Sequence, residues 1–281
     1  MRRLIIVILI IRVSPAFAQD STYMNGGLAY SPSSSNRKLL SRFMIGTVVT
    51  GSLIESYYAW WKNAEKPFSF YNSGWFEGSK GIDRIGHFCG AYYFFHLSRD
   101  VMLYGGHDEY TADLWGLGLS AFHSLSIEIG DGFSPWGFDL KDLASDIAGI
   151  GYAYMQTKIP ALENINFKYS YWSHGLKSAA NFSQDYDALT IWMAFNVHGF
   201  LPDSWKNYWP KFLGLAVGYG VDDHGTRSEL AVALDVNLGV FKINQDELAL
   251  LQKAANRMHL PLPGMKFTEV KVPRYDLFLL R

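Results

Sequence analysis

The chain has a single cysteine, Cys89, in 281 residues. One thiol excludes a disulfide framework within the chain and any zinc site built on cysteines. Positive charge is not in excess either: 25 Lys and Arg stand against 26 Asp and Glu, a formal net of -1. That balance excludes a polybasic nucleic-acid binder, so no nucleic-acid partner is expected. Long uncharged apolar runs are scarce, and past the N-terminus no stretch gives a clean span of about 20 uncharged residues. Internal repeats and low-complexity tracts are absent. So are a Gly-x-Ser-x-Gly nucleophile elbow, a His-Glu-x-x-His zinc signature and a Glu-x-x-His di-iron signature. What is plentiful is apolar and aromatic: 49% of residues are hydrophobic and 16% aromatic, including 9 Trp, 17 Tyr and 19 Phe. Such a composition excludes a disordered or collagen-like chain. It suits a membrane interface, an aromatic-rich β-structure or a large core.

Residues 1–18 have the form of a secretory signal peptide. Arg2 and Arg3 supply the positive start, Leu4 to Ile11 the apolar stretch, and Ala16-Phe17-Ala18 the small-x-small cleavage site after Pro15. Cleavage there would start the mature chain at Gln19. Loss of Arg2, Arg3 and Arg12 would leave 22 of the 25 basic residues against 26 acidic ones, a net of -4. Residues 19–38 are polar and read as a flexible lead-in.

Four helices are expected over residues 39–160. They run from Leu39 to Trp61, from about Ile82 to Tyr104, from about Tyr110 to Ile129, and from about Asp139, a natural N-cap, to Thr157. Gly105-Gly106, Gly130-Asp131-Gly132 and Pro160 punctuate them. Lys62 to Gly81 is an aromatic loop. The helices are apolar on nearly all sides, as in a large core or a bilayer bundle. After Ala161 the period falls to two. Strands are expected over 166–172, 189–197, 213–221 and 230–240, with a fifth over 271–280. Large apolar residues face one way and small or polar ones the other, as in an outer-membrane barrel strand or a sandwich strand. Val221 to Arg227 reads as the turn of a hairpin. Asp246 to Arg257 reads as a short amphipathic helix, and Leu260-Pro261-Leu262-Pro263-Gly264 as a break. The fold class is therefore α+β: a bundle of about four apolar helices over 39–160, then an antiparallel β-region over 161–281.

Polar residues punctuate this apolar background. Asp83 and His87 stand at i and i+4 on the second helix, hence on one face. Glu128 and Asp131 end the third helix. Asp142 and Asp146 again stand at i and i+4, with Gly149 nearly a turn later to permit close helix approach. A less clear pair is Glu55 with Arg42 on the first helix. Buried carboxylates are costly unless paired, protonated or metal-bound. Facing helices that carry Asp83, His87, Glu128, Asp131, Asp142 and Asp146 form a candidate site for a metal or for acid–base chemistry on a lipid or glycan. The plainer alternative is structural: Asp83 and Asp139 cap helices, and Arg84 or Arg99 pairs with nearby acids. The sequence identifies no cofactor. Cys89 and the scattered His96, His123, His174 and His198 read as core or surface residues.

The runs GIDRIGHFCGAYY and IEIGDGFSPWGFDLKDLASDIAGIGYAY carry a resemblance. The chain resembles the YfiM-like family of predicted periplasmic lipoproteins (domain of unknown function 2279), in particular its longer, Bacteroidetes-type members, over about residues 37–270. The family pattern is Asp-Lys-x-x-His, then Glu-x-x-Asp-Gly, then Trp-Gly-x-Ser-x-x-Asp, with Asn or Asp four residues on and a Gly after it. Asp83, His87, Glu128, Asp131, Gly132, Trp136, Gly137, Asp142, Asp146 and Gly149 fit it. Arg84 replaces the usual Lys and Asp139 the usual Ser. The resemblance implies an envelope location in a Gram-negative-type bacterium and no established activity. No cysteine follows the apolar N-terminal stretch, so lipid anchoring does not carry over. The order of acids and histidine is also similar to that of the VanZ-like membrane bundle, an analogy at the level of fold. Together these features lead to the expectation of an exported, membrane-associated protein of the periplasm or outer membrane. Its expected partner is a membrane lipid or envelope component, and its role structural or accessory. The alternative is a hydrolase, transferase or binding protein acting through the acid–histidine cluster.

Overall fold

The computed structural model describes residues 35–62, 66–72, 74–77, 79–172, 185–222, 225–269 and 274–276. The expected signal peptide, the expected lead-in up to residue 34 and His174 lie outside them. Helix α1 covers Ser35–Ser56 and runs on into a π-helical turn, Tyr57–Trp61. It already includes Ser35, four residues before the expected Leu39. Tertiary contacts extend it: Arg37 pairs with Asp246 at 2.6 Å and lies over the Tyr104 ring. Helix α2 spans Ile82–Tyr104, α3 Glu109–Gly132 and α4 Leu140–Gln156, close to the ranges expected from pattern. Asp139 is the N-cap of α4, its carboxylate accepting the Lys141 N–H at 2.8 Å. Asp83 does not cap α2. Gly81 holds that position at φ +78°, which leaves Asp83 inside the first turn.

Helix α2 lies at the centre. It packs on α1, α3, α4 and one face of the sheet. Tyr92, Phe95, Ile150 and Ala153 join α2 to α4, with Phe167 of the sheet against them. Ile82 and Cys89 meet Ile191 and Val221 of the sheet in a second cluster. Cys89 is thus a small core residue, and burial pushes its thiol pKa up. The helices are not apolar throughout: Arg84, Asp100, Asp113, Glu128, Asp142 and Asp146 all face inward. No helix among the described residues is long and apolar enough to cross a membrane.

The aromatic loop contributes a two-residue strand, β1 (Phe70–Tyr71), parallel to β2 (Phe138–Asp139). Phe68 gathers Phe70, Phe133 and Phe138 around it. Backbone bonds from Ser69 to Gly132 and from Phe138 to Ser69 tie the loop to the end of α3.

The second half is one antiparallel sheet in the order β3–β4–β5–β6–β7–β8. Its strands are β3 (Ile165–Tyr171), β4 (Leu189–Phe195), β5 (Leu213–Asp222), β6 (Arg227–Val236), β7 (Gly264–Thr268) and β8 (Arg274–Asp276). Two short helices, α5 (Val197–Phe200) and α6 (Asp203–Lys206), join β4 to β5. Helix α7 (Asp246–Ala255) precedes β7. The β5–β6 hairpin is present, with Asp222 opposite Arg227. Two expectations change. Strand β6 stops at Val236, because Asn256 captures the Leu238 N–H and the Asn237 side chain takes the Gly239 N–H. The stretch at Gly264 is the start of β7, since β6 offers a free edge with Ala233 opposite Gly264.

The sheet is strongly curved. Lys168 on β3 reaches Asp235 on β6 at 2.8 Å, although β4 and β5 lie between them. In a flat sheet those strands would stand about 14 Å apart. Small residues line the concave side: Ala194, Ala216, Ala231 and Ala233 surround Trp192. A side chain at Gly218 would sit 2.6 Å from the Trp192 ring.

Candidate functional site

The three polar pairs expected from spacing meet where α2, α3 and α4 pack. Two of the pairs arise from one helical turn each, Asp83 with His87 on α2 and Asp142 with Asp146 on α4. Glu128 and Asp131 come from the last turns of α3. The helices approach closely because Gly149 packs on the α2 backbone: a Cβ there would lie 2.0 Å from the Phe88 carbonyl oxygen. At the far side Gly137, at φ +75°, turns the chain so that Asp139 folds back onto Glu128.

His87 is the hub. Its Nδ1 stands 3.3 Å from Asp146 Oδ2 and 3.5 Å from Glu128 Oε1, and its Nε2 stands 4.0 Å from Asp142 Oδ1. Arg84, one turn earlier, binds the other acids. Its Nη1 donates to Asp83 at 2.8 Å and Asp142 at 2.5 Å, and its Nη2 donates to Asp139 at 2.7 Å. Glu128 Oε2 accepts the Asp139 N–H at 3.1 Å, while Glu128 Oε1 has no hydrogen-bond partner. Tyr186 donates to Asp83 at 2.6 Å. Asp131 stands apart at the rim, accepting the Trp61 indole N–H at 2.7 Å, and makes no ion pair with His87. The Glu128 side chain is 1% exposed, His87 18% and Asp83 35%, so solvent reaches the cluster from the Asp83 side. Glu55 and Arg42 take no part as a pair, since helix geometry puts them about 20 Å apart along α1.

Five carboxylates thus face one guanidinium and one imidazole, with Asp131 beside them, and the surplus shows in their protonation. Burial raises Glu128 to about 8 despite the nearby His87. Burial, with Asp83 and Asp139 alongside, raises Asp142 to about 6. Burial likewise raises Asp131 to about 6. For His87 burial opposes the charge, but the hydrogen bond to Asp146 and the charges of Asp146, Asp142 and Asp83 outweigh it and raise the ring to about 10. Near neutral pH the cluster therefore holds a neutral Glu128 beside a cationic His87. Such an arrangement can donate protons, or exchange them for a bound cation. Two trios can hold a metal ion: Asp83, His87 and Asp142, or His87, Glu128 and Asp146.

Spacing had marked Asp83, His87, Glu128, Asp142 and Asp146, and the fold brings them together. It had not marked Arg84 and Asp139 as members, although Arg84 adjoins Asp83 in sequence. Trp61 and Tyr186 carried no local signal, because each arrives from a distant element.

No curated protein and no solved structure matches the chain. Residues 72–158, which hold all six expected site residues and none of the antiparallel sheet, match the family described as Predicted periplasmic lipoprotein (DUF2279); that match supports an exported, periplasmic, envelope-associated location.

Proposed function

We propose that the protein is a membrane-associated accessory component of the cell envelope, seated on a membrane surface by the apolar faces of its helices. The exposed stripes on α1 and α3 carry this reading. On α1, Leu39, Phe43 and Ile54 stand in solvent, Phe43 at 72% exposure. On α3, Tyr110, Leu114, Phe122, Leu125 and Ile129 do the same at helical spacing, Phe122 at 55%. The two helices are neighbours, and the Ser52 hydroxyl meets His123 at 2.8 Å between them. Exposed apolar residues gathered on two neighbouring helices are what an interaction face presents, and a helix lying in the interface plane needs no spanning length. The convex side of the sheet adds Leu215, Val217, Leu230 and Val232, all partly exposed.

Vesicles of phosphatidylethanolamine and phosphatidylglycerol test the reading by flotation. The protein is expected to float with them, and Phe43→Ser/Phe122→Ser to reduce the bound fraction at least tenfold. Wild-type protein that stays at the bottom of the gradient, or a double variant that floats unchanged, overturns it.

A second reading rests on a separate observation, the convergence of acids and His87 on a solvent-reachable edge. It makes the cluster a ligand or reaction site of an envelope hydrolase, transferase or binding protein. The neutral Glu128 is the candidate proton donor, and Arg84 holds the acids in place.

A further inference from the structure

Among the described residues, only the two His87 trios could hold a metal ion. They are not equivalent. In the first, Asp83 and Asp142 are both occupied by the Arg84 guanidinium, and Asp83 also by the Tyr186 hydroxyl. A cation placed there would face a fixed positive charge on its own ligand oxygens. In the second, no guanidinium or ammonium group among the described residues binds Glu128 or Asp146. Glu128 Oε1 is buried, points at His87 Nδ1 and has no hydrogen-bond partner. An unsatisfied buried carboxylate oxygen is costly, and a bound ion removes the cost.

We propose that His87 Nδ1, Glu128 Oε1 and a carboxylate oxygen of Asp146 bind one divalent transition-metal ion. The proposal rests on the second reading above, that the cluster is a ligand site. The spacings suit it. Ligands about 2.0–2.1 Å from a tetrahedral zinc ion stand about 3.3 Å from one another. The two contacts at Nδ1 measure 3.3 and 3.5 Å, so the donors already lie at ligand-to-ligand distance. One imidazole among the three donors favours zinc over magnesium and calcium, which take all-oxygen sets, while the two carboxylates also admit manganese.

The residues around the trio act as supports. A metal-bound histidine is commonly oriented by a carboxylate facing its other ring nitrogen. Asp142 faces His87 Nε2 at 4.0 Å and is itself held by Arg84. The backbone N–H of Asp139 fixes the second oxygen of Glu128, and Arg84 binds the Asp139 carboxylate as well. One guanidinium therefore positions both supports, and its fixed charge marks the side of the cluster the ion avoids.

The full chain, purified in detergent and stripped with a chelator, is titrated calorimetrically with Zn²⁺ and Mn²⁺, with Mg²⁺ for comparison. The expected result is one Zn²⁺ or Mn²⁺ per chain and at least tenfold weaker Mg²⁺ binding. Glu128→Gln and Asp146→Asn should each weaken binding about a hundredfold. Asp142→Asn should weaken it about tenfold. Asp83→Asn should leave it within about threefold. If a ligand variant does not fold, the visible spectrum of Co²⁺-loaded wild type still reports the site. The expected bands are those of a four- or five-coordinate ion with nitrogen and oxygen donors, and a six-coordinate aquo-like spectrum contradicts the trio. Folded wild type that takes up neither Zn²⁺ nor Mn²⁺ overturns the proposal. So does binding lost in Asp83→Asn but kept in Glu128→Gln. Chemical modification of Asp83 or His87 by a lipid- or glycan-mimicking affinity label, without metal uptake, would leave the cluster a ligand site while removing the ion.

Discussion

At the scale of single residues, the interior of this protein is decided by which polar groups find partners. Arg84 holds three carboxylates and Asp100 takes both Lys253 and Arg257. Burial would raise Asp100, but those two cations hold it down to about 2. Histidines divide by the same logic. His87 is held cationic by acids. His259, stacked on Trp192 with its ring centre 4.0 Å away, is kept neutral by burial and by Lys168, with a pKa near 4. The unfolded chain takes up this proton as pH falls below about 6.5, and the folded chain does so only near 4. His259 therefore lowers stability progressively as pH drops through that window. His259→Phe keeps the stack and removes the titration. Relative to wild type, the variant should gain about 2 kcal/mol between pH 7.5 and pH 5, read from urea unfolding at the two pH values. The sequence marked the acids and His87 by their spacing. It also offered Arg84 and Arg99 as partners of nearby acids, and both pair so, Arg99 with Asp113; which acids share Arg84 was not legible, because Asp139 and Asp142 reach it only after α4 packs on α2.

At the scale of elements, caps, breakers and hydrophobic period were enough to locate α2, α3, α4 and the β5–β6 hairpin. The errors lie where a long-range contact sets the boundary. Helix α1 already includes Ser35 to Lys38, where Arg37 meets Asp246, and β7 forms beyond two prolines because β6 has an edge to share. Helix contact distance is an element property as well. Gly149→Ala pushes a methyl group into the Phe88 carbonyl and should cost about 1–3 kcal/mol. Gly151→Ala, two residues on with nothing within 4 Å, should instead stabilise the helix by up to about 1 kcal/mol. Chemical denaturation of the pair separates packing from helix propensity. Equal effects in the two variants would contradict a specific α2–α4 contact.

At the scale of the whole molecule, the helices and the curved sheet share α2, whose one side builds the acid–histidine cluster and whose other side packs on β3 and β4. Curvature of the sheet depends on the buried Lys168–Asp235 pair and on the small residues around Trp192. Lys168→Met strands a buried carboxylate and should destabilise the fold by about 3–5 kcal/mol, whereas Lys168→Met/Asp235→Leu should recover most of the loss. Thermal unfolding of the single and double variants measures it, and an additive loss would show that the pair does not act as a unit. Local period and composition sufficed for the four long helices, the two-faced strands β3 to β6 and the six acidic and imidazole groups on three helices, but not for β1, β2 or β7. Only the tertiary structure decided that these groups meet, that Arg84 divides them into a neutralised half and an open half, and that the sheet curls until β3 touches β6. Those outcomes depend on contacts between residues tens of positions apart, and no local pattern encodes such distances.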